Sequence, residues 1–166
     1  MDLATWLAFV AATAVLLVIP GPTILLVVSY AMGQGLRAAA PMALGVALGD
    51  LTAMTVSMLG LGALLAASAA LFTALRWAGA AYLVYLGIKL WRAAGSVGAA
   101  PRTDPVAKLK MVAHAWIVTA SNPKGITFFV AFVPQFIDLS RPFLTQVAVF
   151  EATFVVLAFA NAFGYA

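Results

Sequence analysis

The chain has 166 residues, of which 65% are hydrophobic and 8% are charged, and its formal net charge is +4. A soluble globular domain carries about 25% charged residues, so a soluble fold of this composition would lack a polar surface. The sequence has no cysteine, which excludes disulfide bonds and cysteine-ligated metals, and its single histidine, His114, cannot form a metal site alone. No cofactor is expected. Nucleic acid is not an expected partner either, because most of the basic residues lie in loops between apolar segments.

Five apolar segments are long enough to cross a lipid bilayer, which takes about 20 helical residues. The chain is therefore predicted to be an all-α, polytopic membrane protein. Prolines interrupt the first and fourth segments, at Pro20-Gly21-Pro22 and at Asn122-Pro123-Lys124. The five segments cover approximately residues 3–32, 38–67, 71–91, 111–137 and 143–166.

A polar linker separates the third and fourth segments and divides the chain into residues 1–92, 93–110 and 111–166. Lys and Arg favour the cytoplasmic loops of membrane proteins. One side of the membrane receives only Arg76 and Arg141, whereas the other receives Arg37, Lys89, Arg92, Arg102, Lys108 and Lys110. This distribution predicts a cytoplasmic linker and an N-terminus outside, in the inner membrane. The last segment is still apolar where the sequence stops, so the chain is expected to lack a sixth helix.

The two broken segments are the first elements of a predicted internal repeat. Asp50 lies 28 residues after Pro22, and Glu151 lies 28 residues after Pro123. Three segments precede the second broken helix, which must therefore cross the membrane in the direction opposite to the first. Two inverted three-helix repeats are predicted, the second one truncated. Inverted repeats with discontinuous helices are typical of secondary transporters, whose binding site lies near the bilayer midplane.

The helix breaks themselves predict a binding site. One proline in a membrane helix is most simply a kink, but two matched breaks favour a functional interpretation. Proline favours the first position of a helix and asparagine is a good N-cap, so half-helices are predicted to begin at Pro22 and Pro123. Their free N–H groups and positive dipole ends would suit a carboxylate. The residues expected to form this site are Pro20, Gly21, Pro22, Thr23, Asn122 and Pro123.

Three charged residues, Asp50, Lys124 and Glu151, lie deep within an apolar segment, far from both of its ends. Asp50 is 13 residues after Arg37, which places it about 20 Å into the membrane. A carboxylate there costs about 2.5–3.5 kcal/mol, so Asp50 is expected to face the protein interior. It could carry a proton, bind an ammonium group, or serve as a structural partner of Lys124. Glu151 is interpreted in the same way. Lys124 could pair with either acid or attract a bound carboxylate.

Glycines precede Asp50 at one-turn spacing. Gly45 and Gly49 form a pattern of small residues four apart, which is typical of membrane helices that pack closely together. This pattern predicts a neighbouring backbone near Asp50.

The sequence resembles the LysE/RhtB family of amino-acid exporters over essentially its whole length. The matching motifs occur in the family's order: Pro20-Gly21-Pro22, the stretch 45–50, the stretch 79–89, Asn122-Pro123-Lys124, and the phenylalanines and Pro134-Gln135-Phe136 of the stretch 128–136. The resemblance implies a bacterial plasma-membrane exporter with six helices in two inverted halves, driven by the proton motive force. Substrates of the family include lysine, arginine, homoserine, threonine and leucine. The chain is expected to depart from the family by ending before a sixth helix.

The leading hypothesis is therefore a non-enzymatic transporter that exchanges an amino acid for protons. Asp50, with or without Glu151, would bind the ammonium group of the substrate, and the half-helix N-termini would bind its carboxylate. The alternative is export of an inorganic or other small cation, which would predict clustered acids, histidines or cysteines. The oligomeric state is left open, with a homodimer among the candidates.

Overall fold

The computed structural model describes residues 2–93 and 106–166, and this part of the chain is entirely helical apart from short turns. Most of the predicted linker 93–110, with Arg102, lies outside the described residues, as do the side chains of Arg76, Lys89 and Arg92. Two short 3-10 helices, Gly35–Ala38 and Val133–Phe136, follow the second and sixth α-helices. The described α-helices are α1 (Leu3–Val18), α2 (Pro22–Gln34), α3 (Ala39–Ala67), α4 (Ala69–Ala93), α5 (Lys108–Ala120), α6 (Pro123–Ala131) and α7 (Phe143–Tyr165).

Both predicted helix breaks are present, and both half-helices begin at the predicted proline. α1 ends at Val18, and α2 begins at Pro22 after Gly21 as N-cap. α5 ends at Ala120, and α6 begins at Pro123 with Asn122 as its N-cap. Residues in the first turn of a helix have no helical acceptor for their N–H group. Proline, which lacks this group, therefore loses no hydrogen bond at these positions.

The helix directions follow from residue contacts along each pair. α3 and α5 run parallel, because Gly45 lies against Val112 and Gly49 lies against Thr119. A Cβ atom on Gly45 would lie 2.5 Å from the carbonyl oxygen of Val112, so only glycine allows this approach. The prediction of close packing at these glycines is confirmed.

α2 and α5 run antiparallel. Tyr30 contacts His114 toward one end of this pair, and Thr23 contacts Thr119 at the other. The two broken helices therefore pass each other in opposite directions, and their breaks lie at the same level.

Phenylalanine side chains hold α1, α6 and α7 together. Phe9 is fully buried, and its ring centroid lies 4.5 Å from that of Phe150 and 6.5 Å from that of Phe128. Phe128 also packs on Phe154, at 5.7 Å. Lipid is as apolar as the core, so these contacts stabilise the bundle mainly through dispersion and aromatic geometry.

Two helical stretches of the described chain are long and apolar enough to cross a membrane by themselves, Pro22–Ala67 and Phe143–Tyr165. The first contains the turn at Gly35, whose φ is 61°, and so includes both α2 and α3. Leu3–Val18 is a shorter apolar helix. The predicted first and fourth spans are each divided into two short helices by their break. Five spans and the repeat stay predictions, while the all-helical fold is confirmed.

The charged residues outside the bundle mark its two ends. Asp138 forms an ion pair with Arg141 at 3.1 Å, and Arg141 also lies near enough to Asp2 to attract its carboxylate. The N-terminus and the turn before α7 therefore lie at the same end. α3 and α5 both start at the opposite end, where Arg37, Lys108 and Lys110 are exposed. Which end faces the cytoplasm stays a prediction.

Candidate functional site

A cavity of about 50 Å³ lies where the two helix breaks meet. One water molecule needs ~10–15 Å³, so the cavity has room for a few waters and not for a larger molecule in this conformation. Both breaks, α3 and α7 contribute to its wall. The residues that line it are Leu16, Leu17, Gly21, Thr23, Ile24, Val46, Asp50, Asn122, Lys124, Gly125, Phe154, Ala158 and Asn161.

The Asn122 side chain joins the two breaks. Its Oδ1 accepts a hydrogen bond from the backbone N–H of Lys124 at 3.1 Å, which caps α6. Its Nδ2 donates to Thr23 Oγ1 at 2.9 Å, which connects α6 to the first turn of α2. Thr119 Oγ1 also donates to Thr23 Oγ1, at 3.3 Å. All three side chains are buried, so these hydrogen bonds fix the relative position of the two half-helices.

The first turn of α2 presents unused backbone donors. Leu25 donates the first backbone hydrogen bond of this helix, to the carbonyl of Gly21 at 2.9 Å. The N–H groups of Thr23 and Ile24 therefore have no backbone acceptor. These two N–H groups lie at the N-terminus of α2, which is the positive end of the helix dipole. Such a helix end favours the binding of an anion.

The Asp50 side chain is 6% exposed and lies beside the start of α6. A Cβ atom on Gly125 would be 3.8 Å from Asp50 Oδ1, so the carboxylate sits close to the backbone of the α6 first turn. Among the described residues, the Asp50 carboxylate accepts no hydrogen bond and forms no ion pair within 4 Å. The positive end of α6 thus faces the carboxylate of Asp50 itself, which leaves the α2 end as the one available to a bound anion.

Lys124 has a role that the sequence did not predict. Its ammonium group donates to the carbonyl oxygens of Leu16 at 2.8 Å and Ile19 at 2.5 Å. Asn161 donates to the carbonyl of Leu17 at 3.1 Å, and Tyr165 donates to that of Val18 at 2.8 Å. Side chains from α6 and α7 therefore satisfy four consecutive carbonyls at the end of α1, which have no acceptor role left within that helix.

Glu151 is not brought to this site. Its Oε1 accepts a hydrogen bond from Thr55 Oγ1 at 2.5 Å, and it lines a separate cavity of about 200 Å³ between α3 and α7. Thr55 follows Asp50 by five residues, which is a rotation of about 140° around the axis of α3. Thr55, and with it Glu151, therefore lies on a different face of α3 from Asp50. The matched 28-residue spacings do not place Asp50 and Glu151 in a common site.

The three prolines of the predicted site are exposed and do not line the cavity. They determine where the half-helices begin. Gly21, Thr23, Asn122, Asp50 and Lys124 do line it. The structure adds Phe154, Ala158 and Asn161 to the lining, and Thr119 through its hydrogen bond to Thr23. Of these, Asn161 could have been recognised as an amide within an apolar segment.

Comparison with known proteins gives a consistent family. A family model described as LysE type translocator matches residues 14–166. The chain is 34% identical over 165 residues to an uncharacterized membrane protein of Vibrio cholerae, covering 99% of this chain and 80% of that protein. It is 33% identical over 161 residues to the homoserine/homoserine lactone efflux protein of Salmonella typhi, covering 97% of this chain and 78% of that protein.

A further relative is the leucine efflux protein of Salmonella choleraesuis, which is 36% identical over 138 residues. That match covers 82% of this chain and 65% of the relative. No solved structure matches the chain.

Proposed function

Because the chain belongs to the LysE-type translocator family, we propose that it exports amino acids across the bacterial plasma membrane in exchange for protons. The names of two relatives, homoserine/homoserine lactone efflux protein and leucine efflux protein, support amino acids as the class of substrate. The observation that carries the proposal is the buried carboxylate of Asp50, which accepts no hydrogen bond, in a cavity between two broken helices.

An amino acid is a zwitterion and requires an anionic and a cationic partner within a few ångströms of each other. In the proposed mode its ammonium group binds Asp50, because a buried carboxylate without a hydrogen-bond donor gains most from such a partner. Its carboxylate binds the free N–H groups of Thr23 and Ile24 at the start of α2. The apolar wall, which includes Val46, Phe154 and Ala158, surrounds the side chain of the substrate.

Proton exchange follows from the same carboxylate. When Asp50 takes up a proton it loses its attraction for the ammonium group, and the substrate is released. When the proton leaves, the charged carboxylate binds the next substrate. Substrate and proton thus compete for one side chain, which couples their opposite movements.

The cavity must widen for an amino acid to enter, since about 50 Å³ accommodates only a few waters. The antiparallel passage of the two broken helices supports an inverted repeat, and rocking of such repeats about a central site is a common mode of alternating access. Release to the outside requires the predicted orientation, with residues 93–110 in the cytoplasm. A homodimer remains a further proposal.

Export of an inorganic cation is less well supported. No group of three or more His, Asp or Glu side chains that could hold a metal ion occurs within residues 2–93 and 106–166. Asp50 and Glu151 lie in separate cavities, so they do not form a two-carboxylate site.

The proposal is tested by amino-acid flux in vesicles that contain the purified protein. Under an imposed pH gradient we expect saturable flux of labelled leucine or homoserine, and the Asp50→Asn variant should lose the pH dependence and at least about tenfold of the rate. Asp138→Asn, an exposed aspartate in the turn before α7, is the matched control and should keep both. Normal proton-coupled flux by Asp50→Asn would exclude Asp50 as the coupling group.

A further inference from the structure

The end of α1 is built like a cation-binding site. The carbonyl oxygens of Leu16 and Ile19 converge on one point, and that point is occupied by the Lys124 ammonium. Carbonyl oxygens at a helix C-terminus carry partial negative charge. In many secondary transporters, unwound carbonyls and half-helix C-termini of this kind bind the dissolved cation that drives transport.

Asp50 contributes a carboxyl group to the same cavity. Its carboxylate and the Lys124 ammonium line the cavity together and attract each other across it. No other acidic or basic side chain of the described residues lines this cavity. The two charges therefore balance each other without any dissolved ion.

The lysine side chain is also held in place by its surroundings. A Cβ atom on Gly21 would lie 3.2 Å from Lys124 Cδ and 3.8 Å from its Nζ. The backbone of the break between α1 and α2 therefore packs directly against the lysine side chain. The N-cap of α6 fixes the backbone from which this side chain extends, because Asn122 accepts from the Lys124 N–H. The ammonium is thus positioned by both helix breaks.

We propose that the α1 carbonyls form a cation site, beside Asp50 in the same cavity, whose occupant is the tethered ammonium of Lys124, so that transport requires no dissolved alkali cation. Carbonyl and carboxylate oxygens are the ligands that hard cations prefer. Removing the ammonium leaves the carbonyl oxygens of Leu16 and Ile19 without this donor and leaves space beside them. Na⁺ is then able to take the vacated position, with the Asp50 carboxylate nearby in the same cavity. The consequence for transport rests on the proposed function, but the site itself does not.

The site is tested by thermal unfolding of the purified protein in detergent. Lys124→Ala should melt at a lower temperature than the parent in N-methyl-D-glucamine chloride. NaCl at equal ionic strength should raise its melting temperature, because a ligand that binds only the folded state stabilises it. The parent should not respond to Na⁺, and neither should the control Lys108→Ala, which removes an exposed lysine at the start of α5. An unresponsive Lys124→Ala, or an equal Na⁺ response of the parent, would overturn the proposal.

Lys124→Met keeps the aliphatic part of the side chain and serves as a second variant. It should show the same Na⁺ response, and failure of both variants to fold in NaCl contradicts the proposal, which requires Na⁺ to replace the ammonium.

In vesicles, amino-acid flux by the parent should be unchanged when N-methyl-D-glucamine replaces Na⁺, and Na⁺ should accelerate flux by Lys124→Ala. A parent that needs Na⁺ overturns the proposal. A parent without any amino-acid flux disproves the proposed function instead, and the melting experiment then still decides about the site.

Discussion

Asn122 Nδ2 donates a hydrogen bond to Thr23 Oγ1 at 2.9 Å, across 99 residues of sequence, and this contact joins the first turns of the two half-helices. The same Asn122 side chain caps α6 through its other end. The position of one helix break is therefore coupled directly to that of the other. Because the cavity lies between the breaks, this coupling determines its shape.

A double-mutant cycle measures the coupling of the two breaks. Thr23→Val removes a hydroxyl at nearly constant volume, and Asn122→Ala removes the cap and the donor. Loss of an N-cap costs about 0.5–2 kcal/mol of stability, and buried partners of this kind couple by about 0.5–3 kcal/mol. We expect the double variant to be less destabilised than the sum of the single variants, as measured by unfolding in detergent. Strict additivity would show that the contact between the breaks contributes nothing.

Gly49 should not tolerate a side chain. A Cβ atom at this position would lie 2.5 Å from Thr119 Cβ and 2.9 Å from the carbonyl oxygen of Trp116. Gly49→Ala must therefore push α5 away from α3, at a cost of about 1–3 kcal/mol. The displacement also moves Thr119, and with it the hydrogen bond to Thr23.

Gly60→Ala is the control for that substitution, because it lies in the same helix with no atom within 4 Å of the added methyl. Alanine is a better helix former than glycine, so this variant should be neutral or more stable by up to about 1 kcal/mol. Equal thermal stabilities of the two variants would contradict the close approach of α3 and α5.

Glu151 and Asp50 should differ in their importance for transport. Glu151→Gln keeps an acceptor for Thr55 and lies in a different cavity from Asp50. It is expected to keep the proton dependence of amino-acid flux and most of its rate, within about threefold. Flux across vesicles with a pH gradient provides the comparison. A Glu151→Gln variant as impaired as Asp50→Asn would mean that the two acids act together after all.

The turn before α7 should respond to acid. Hydrogen bonds from the Ser140 hydroxyl and N–H lower the pKa of Asp138 from its ordinary 3.8, and Arg141 adds a smaller effect in the same direction. A lowered pKa means that the turn is fully stabilised above pH 3.8 and loses this stabilisation as the pH falls through the lowered value. The carboxyl ¹³C signal of Asp138 should therefore titrate with a midpoint below 3.8.

Ser140→Ala removes the side-chain hydrogen bond to this carboxylate and should raise the midpoint toward 3.8. A midpoint of Asp138 at or above 3.8 in the parent protein would contradict the hydrogen-bonded turn.

The local features of the site could be predicted from the sequence because they depend on short-range chemistry. Proline cannot occupy a helix interior without cost, so Pro22 and Pro123 had to begin new helices. Asn122 was recognised as a cap for the same reason. Gly45 and Gly49 predicted a close neighbour because no other residue type offers that approach.

Tertiary contacts of single side chains could not be predicted. The role of Lys124 depends on α1 ending within reach of its ammonium, which no spacing in the sequence reveals. The partnership of Tyr165 with Val18 is of the same kind. Glu151 was misplaced because equal distances along the chain do not imply equal rotation around the helices that carry the residues.

The central claim is that an amino acid binds in the cavity between the two breaks, and thiol protection tests it most directly. The chain has no cysteine, so Ala158→Cys introduces a single thiol into the cavity wall, and Ala148→Cys introduces one into the neighbouring cavity on the same helix. The rate of labelling by a small thiol reagent is measured with and without saturating leucine or homoserine. The account predicts that the amino acid slows labelling at position 158 severalfold and leaves position 148 unchanged. Unchanged labelling at position 158, under conditions where flux is saturated, would contradict it.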